Sequence, residues 1–351
     1  MINAKSAVAL KDIIFMPEWF PASIDADNQE IVFINVDKKS LINASFHDGR
    51  TAIEYTRDPV RVRVDAAIDC ANNIPMPEMI TRIVAHTSFC GSTLLSRLLS
   101  LNGACFAYRE PQVLVELTAL KAQGHQLSRL SDLWPRLVGF IVGQFSLPWT
   151  FDQSVLLKPS NWANGLLNDL PSNQNYRIVA MTSSISSYLC AHLRGGDARI
   201  RYSLNLLKSL RNLIDGLGAR IDHIEKLPLS PLSNVLHLLA LCLLAQESLI
   251  RQAQQRFEQP LRLTKEQLLE DPERATLESA KALGLSQTQA VGIGFHETLR
   301  SNAKGDHPSR YSASKEEAYT EQLIKTCGGD ISAACDWYTQ QPIEVFAGVK
   351  L

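Results

Sequence analysis

The sequence predicts an α/β protein, a parallel sheet with helices on both faces preceded by a small N-terminal α+β extension. Three observations predict it. From about position 80 onward, short apolar runs alternate with helical stretches, and crossovers of ten or more residues join parallel strands. The polar clusters 86–93, 108–111, 158–161 and 182–184 fall where apolar runs stop, which is where ligands gather in an open parallel sheet. The first cluster joins an apolar run, a tight turn on Gly91 and an amphipathic run without a spacer.

Residues 1–78 read as the extension and 79–351 as the main domain. In the extension, 30–36 and the alternating 60–64 are strand candidates, with a brief helix at 37–44 and a turn at 47–49 between them. Pro75 and Pro77 mark the boundary. The main domain opens with a strand at 82–86, the Gly91 loop and its helix. A short strand at 104–107 ends in Tyr108-Arg109-Glu110-Pro111, followed by helices at 112–122 and near 131–146. Strand 154–158 leads into a helix from Trp162 with Asn161 as its N-cap. Strand 176–181 precedes a helix from Ile185; helices over 198–216 and 232–257 and a strand at 260–264 complete the pattern.

Bulk composition narrows the function classes. Hydrophobic content of 45% and charged content of 20% are those of a globular protein. A net charge of −1 gives no footing for nucleic acid or an anionic membrane. The longest apolar run, 235–245, contains a histidine and is well short of the ~20 residues that span a bilayer. It reads as a core helix. Seven scattered cysteines with no C-x-x-C pair point to reduced thiols, a cytoplasmic location and no metal site.

The loop 86–93 carries the chemistry. The first amides of a helix lack intrahelical acceptors and sit at the positive end of its dipole, so a loop wrapped around them can hold a phosphate or sulfate. The triphosphate-binding pattern G-x-x-x-x-G-K-[ST] would need glycine at His86 and lysine at Ser92. Kinase chemistry therefore lacks its main cation. A phosphatase loop is also excluded, because Cys90 to Arg97 is one residue too far.

With those positions read, the chain resembles the sulfotransferase superfamily, in particular bacterial members with an H-T-x-F-C-x-S-T-L-L loop. The loop at 86–95 is similar to the family's phosphosulfate-binding loop, Arg109-Glu110-Pro111 to its K-E-P, and Lys158-Pro159-Ser160 to its K-T-P. Residues 261–285 resemble the family's E-d-L-x-x-d-P segment, and 309–315 a late loop that closes over a nucleotide. The resemblance implies sulfuryl transfer from 3′-phosphoadenylyl sulfate to a hydroxyl or amine of a small metabolite or carrier-bound intermediate. It implies that Ser88, Phe89, Cys90, Gly91, Ser92 and Thr93 cradle the phosphosulfate. Glu110 would be the general base and Lys158 would offset charge at the transferring group. Ser309, Arg310, Ser312, Ser314 and Lys315 would bind the nucleotide end.

Duller readings stand beside these. Glu110 and Lys158 also read as solvated turn residues, Cys90 as a small packed residue, and His86 as a structural histidine. The sequence departs from the family at two places. Phe89 stands where the loop cation belongs, with Arg97, Arg109 and Lys158 as possible substitutes, and no arginine follows the strand at 176–181. Ser183, Ser184 and Arg194 are the groups left for a 3′-phosphate. The alternative function is a non-catalytic or donor-switched member of the same fold, binding a nucleotide or anion as a pathway partner.

Overall fold

The computed structural model describes residues 8–50, 53–74, 79–103, 105–124, 130–172, 174–257, 260–286, 291, 294–300, 313–342 and 346. Five strands form one sheet: β4 (Ile80–His86), β5 (Cys105–Arg109), β6 (Ser154–Lys158), β7 (Asn175–Thr182) and β8 (Leu261–Thr264). Their order is β5-β6-β4-β7-β8 and every pairing is parallel. The predicted parallel α/β sheet is present. Ile83 and Ala85 pack on one face while Val84 packs on the other, as period-two alternation requires of a sheet covered twice.

Strand order fixes where a ligand belongs. The chain leaves β4 for β5 two places away, returns to β6, then crosses β4 to reach β7. The connection from β4 therefore departs toward β5 on one side and that from its neighbour β7 toward β8 on the other, and the crevice at the carboxyl ends of β4 and β7 is the sheet's topological switch. The 87–91 loop and helix α4 (Ser92–Leu99) start from that crevice.

The extension is richer than its sequence indicates. Strands β1 (Trp19–Asp25), β2 (Glu30–Val36) and β3 (Tyr55–Arg63) form an antiparallel sheet, flanked by α1 (Leu10–Phe15), α2 (Lys38–Asn43) and α3 (Val64–Asn73). Nothing local marks β1 as a strand, because Pro21 interrupts its ladder, and the register shifts between Pro21 and Ser23. Helix α3 follows β3 directly, with no side-chain cap to announce it. Phe20, Ile31 and Phe33 share one core with Ile83, Phe106, Tyr108 and Ile178. The antiparallel sheet thus packs into the same apolar interior as one face of the parallel sheet.

Three further elements differ from expectation. Residues Asn161–Asp169 form a 3-10 helix whose cap is Ser160, accepting from the Trp162 amide, which leaves Asn161 for other work. The stretch expected as a helix over 198–216 belongs to α7 (Ile185–Leu210), broken at Gly196 (φ 62°, ψ −159°), followed by α8 (Leu217–Glu225). Helix α9 (Pro231–Gln254) is long and apolar enough to cross a membrane by length and composition, and 89% of its most apolar window is buried inside the protein.

Helix α5 (Gln112–Gln123) is tied to the 161–169 segment by a buried ion pair. Lys121 Nζ donates to Asp169 Oδ1 at 2.6 Å and to the Gly165 carbonyl at 3.3 Å, while Trp134 Nε1 reaches Asp169 at 3.1 Å. Lys121→Met strands a buried carboxylate, so chemical denaturation should show a loss of about 3–5 kcal/mol. The double variant Lys121→Met/Asp169→Leu should recover part of it, because no charge is then left unpaired.

Candidate anion-binding site

Glycine is required at position 91. Its φ is +85°, and a Cβ there would stand 3.4 Å from Leu268 Cδ2. This left-handed residue is the N-cap of α4 and supplies no side-chain cap. The turn before it is tied down from within: the Thr87 amide donates to the Met181 carbonyl at 3.0 Å, and Cys90 Sγ donates to the Thr87 carbonyl at 3.0 Å. Burial pushes the Cys90 thiol up, so it serves as a packed hydrogen-bond donor rather than a thiolate.

The loop lines a cavity of about 430 Å³. Ser88, Phe89, Cys90, Gly91, Ser92 and Thr93 all lie on its wall, together with Glu110. Asn161 Nδ2 donates to Ser88 Oγ and to Gln246 Oε1, both at 2.9 Å, and accepts from the Tyr202 hydroxyl at 2.6 Å through Oδ1. The residue expected as a helix cap instead holds the Ser88 hydroxyl. Arg50, Arg194, Arg199 and Lys265 give the wall positive charge.

Strand register brings the second group of residues together. Arg109 and Lys158 are partners at the ends of β5 and β6, and His86 ends the adjacent β4. Glu110 comes one residue past β5 in a left-handed conformation (φ 56°), its amide donating to the Lys158 carbonyl at 2.6 Å. That turn aims the carboxylate back over the strand ends. Oε1 pairs with the fully buried Lys158 ammonium and lies 4.0 Å from His86 Nε2, while Oε2 pairs with Arg50 Nη2 at 2.6 Å. Burial pushes the Glu110 carboxyl up, but Lys158, His86 and Arg50 outweigh it and bring its pKa down to about 2. Non-glycine residues with positive φ cost about 1–3 kcal/mol and cluster at functional sites. Of the three among the described residues, Phe89 and Glu110 both face this cavity.

Arg50 is a site residue that the sequence reading missed, since it lies in the extension. His47 delivers it. The His47 amide donates to the Arg109 carbonyl at 2.7 Å, its Nδ1 accepts from the Arg109 amide at 3.2 Å, and its Nε2 lies 3.0 Å from the Leu41 carbonyl. That pattern needs a neutral ring with its proton on Nε2, and burial lowers the His47 pKa to about 4. Segment 46–50 is thereby laced to the end of β5, with Arg50 stacked over Phe46 at 3.7 Å. The turn 47–49 gave a sequence signal for a bend but none for a partner.

The remaining expected residues lie elsewhere. Ser183 is buried off the cavity wall, with its Oγ lacking a hydrogen-bond partner among the described residues. Ser184 caps α7 and donates through Oγ to Glu266 at 2.9 Å, so a carboxylate already occupies that helix start. Arg109 turns away to the Ala44 carbonyl and Arg97 to Ser45, so neither replaces a loop cation. Lys158 is close enough to Cys90 to influence it electrostatically, though it stands behind Glu110. Ser309, Arg310 and Ser312 lie outside the described residues, and Ser314 and Lys315 fall at the start of the helix Ala313–Thr339, with their side chains outside the description.

Fold and site together define a mixed α/β protein with an anion-sized loop at the switch point of its parallel sheet. Among solved structures, the chain is similar to the sulfotransferase domain from the curacin biosynthetic pathway, at 10% identity and a TM-score of 0.38, over 76% of this chain and 99% of that one. It is also similar to the sulfotransferase domain from the Synechococcus PCC 7002 olefin synthase, at 11% identity and a TM-score of 0.40, over 76% of this chain and 98% of that one. These are weak and distant structural similarities. No protein-family model matches the chain, and no curated protein does.

Because the folded pKa of Glu110 lies below its ordinary 4.5, its ion pairing stabilises the fold fully above about pH 5, and that contribution drains away as pH falls toward the folded value. Glu110→Gln should therefore be less stable than wild type at neutral pH, with the difference in denaturation midpoint narrowing as pH drops from about 5 to 3. A difference independent of pH would mean that packing, rather than charge, holds position 110.

Proposed function

We propose that this chain is a sulfotransferase-like enzyme that moves a sulfuryl group from 3′-phosphoadenylyl sulfate to a hydroxyl or amine of a small metabolite or a carrier-bound intermediate. One observation carries the reading: the Gly91 loop and the Glu110 carboxylate, both held in left-handed backbone, face the same cavity. The chemistry needs both. A transferring sulfuryl group spreads charge over its oxygens, so donors must already be in place around it.

In this reading, residues 88–93 hold the sulfate end of the donor at the start of α4. The acceptor oxygen attacks sulfur, and the bond from sulfur to the bridging oxygen breaks. Its electron pair leaves with 3′-phosphoadenosine 5′-phosphate, and the acceptor proton passes to Glu110. A carboxylate with a pKa of about 2 is too weak a base to ionise a free alcohol. It suffices late in the transfer, when an oxygen already bonded to sulfur has become strongly acidic. Until then the carboxylate orients the acceptor hydroxyl, and Lys158 holds the carboxylate.

A second reading has its own support. Phe89 gives the loop no cation, and Glu266 occupies the start of α7 that a 3′-phosphate would use. Those two features favour a donor-switched or non-catalytic member that binds a simpler nucleotide or anion.

Thermal unfolding separates the two. A ligand at 100 times its dissociation constant stabilises by about 2.7 kcal/mol. The enzyme reading expects a shift with 3′-phosphoadenosine 5′-phosphate that AMP, ATP and free sulfate do not match. A shift with AMP alone would support the second reading and remove the named donor. Turnover should disappear in Glu110→Gln while the bisphosphate shift survives; unchanged turnover would take Glu110 out of the mechanism.

A further inference from the structure

We propose that Arg199 is the anion-binding cation of this site, brought to the loop by the break in α7 at Gly195-Gly196. The inference rests on the reading of residues 88–93 as an oxyanion cradle. It concerns how a loop that carries Phe89 gains the positive charge it does not itself encode.

The break has a specific geometric content. Gly196 leaves the helical region (φ 62°, ψ −159°), which side chains other than glycine rarely tolerate. Gly195 is a different case, because its φ is not positive and its need for a missing side chain is steric. A Cβ at Gly195 would stand 1.9 Å from Arg199 Cδ, 2.3 Å from Nε and 2.4 Å from Cγ. The arginine side chain lies directly across the bare backbone of Gly195. In an unbroken helix, positions 195 and 199 would be neighbours on one face with their side chains standing side by side. Here one of them has been removed so that the other can fold back.

Arg199 is fastened in that pose from two sides. Its Nη1 donates to the Ala191 carbonyl at 2.8 Å, one of the acceptors that a helix exposes where its ladder stops. Its guanidinium carbon lies 4.7 Å from the centre of the Phe89 ring, and the His192 ring meets the same phenyl edge-on at 4.9 Å. A cation over an aromatic face is an attractive arrangement that also fixes the guanidinium plane. Phe89 therefore does not leave its corner of the loop without charge. It is a platform for a charge supplied by another element, and Arg199 lines the cavity beside residues 88–94.

The ligand class follows from the donor. A planar guanidinium presents paired N–H groups that match two oxygens of a sulfate, phosphate or phosphosulfate, which a single ammonium does not. Arg199→Lys should accordingly be a poor replacement despite its charge.

Calorimetric titration of the full chain with 3′-phosphoadenosine 5′-phosphate and, separately, inorganic pyrophosphate tests the proposal. Arg199→Ala should weaken whichever probe wild type binds by tenfold or more, and Arg199→Lys by nearly as much. Gly195→Ala keeps every charge but displaces the arginine, so it should weaken binding comparably. Ligand-free melting and far-UV circular dichroism of each variant establish that it is folded. If Gly195→Ala does not fold, the two Arg199 variants decide. Wild-type affinity in Arg199→Ala overturns the role of Arg199 while leaving the oxyanion cradle intact. Absence of binding to both probes by wild type overturns the cradle itself and this inference with it.

Discussion

A buried ammonium and a buried carboxylate hold this site in shape. Lys158 has no exposed surface and Glu110 very little, so each would be costly alone. Removing either partner of such a pair leaves a charge in a medium that cannot solvate it. Their contact fixes the ends of β5 and β6 relative to one another, and the Glu110 amide adds a backbone bond to Lys158 across the same gap. His86 and Arg50 then gather around a carboxylate whose position is already determined. The left-handed backbone at 110 is tolerable because these contacts overdetermine it.

The same economy governs the loop. Its conformation depends on one residue without a side chain, and its Ser88 hydroxyl is held by Asn161, which belongs to another segment. Pre-set donors need not reorganise when charge arrives, the condition under which hydrogen bonds contribute most to holding an oxyanion. Arg50, Arg194 and Arg199, none of them fully buried, complete the cavity's wall.

Much of this was legible in the sequence, for physical reasons that can be named. Strands β4, β6 and β7 are apolar runs buried on both faces, and such runs stand out against amphipathic helices. The Gly91 turn is readable because a strand and a helix meet there without a linker. Glu110 and Lys158 were singled out by place in the chain, and parallel register brings them into contact. What escaped was whatever depends on tertiary context. Nothing local marks Arg50 as the partner of a carboxylate in another strand's turn, because the tether runs through a neutral histidine and backbone carbonyls. Ser184 is a phosphate candidate in the sequence, with Ser183 and Arg194, only because no arginine follows the strand there. Glu266, arriving from a distant helix, had already taken the place. Asn161 looked like a cap from its place before Trp162, and the cap is its neighbour.

The lacing of residues 46–50 to the end of β5 makes the cavity a joint product of both sheets. Arg50 and Glu110 are 60 positions apart in the chain, and His47 and Arg109 are 62, so the carboxylate comes from the parallel side and one of its cations from the extension. A chain in which β1–β3 were undocked would carry Glu110 without that cation. The wall of the cavity is complete only once both sheets have found each other.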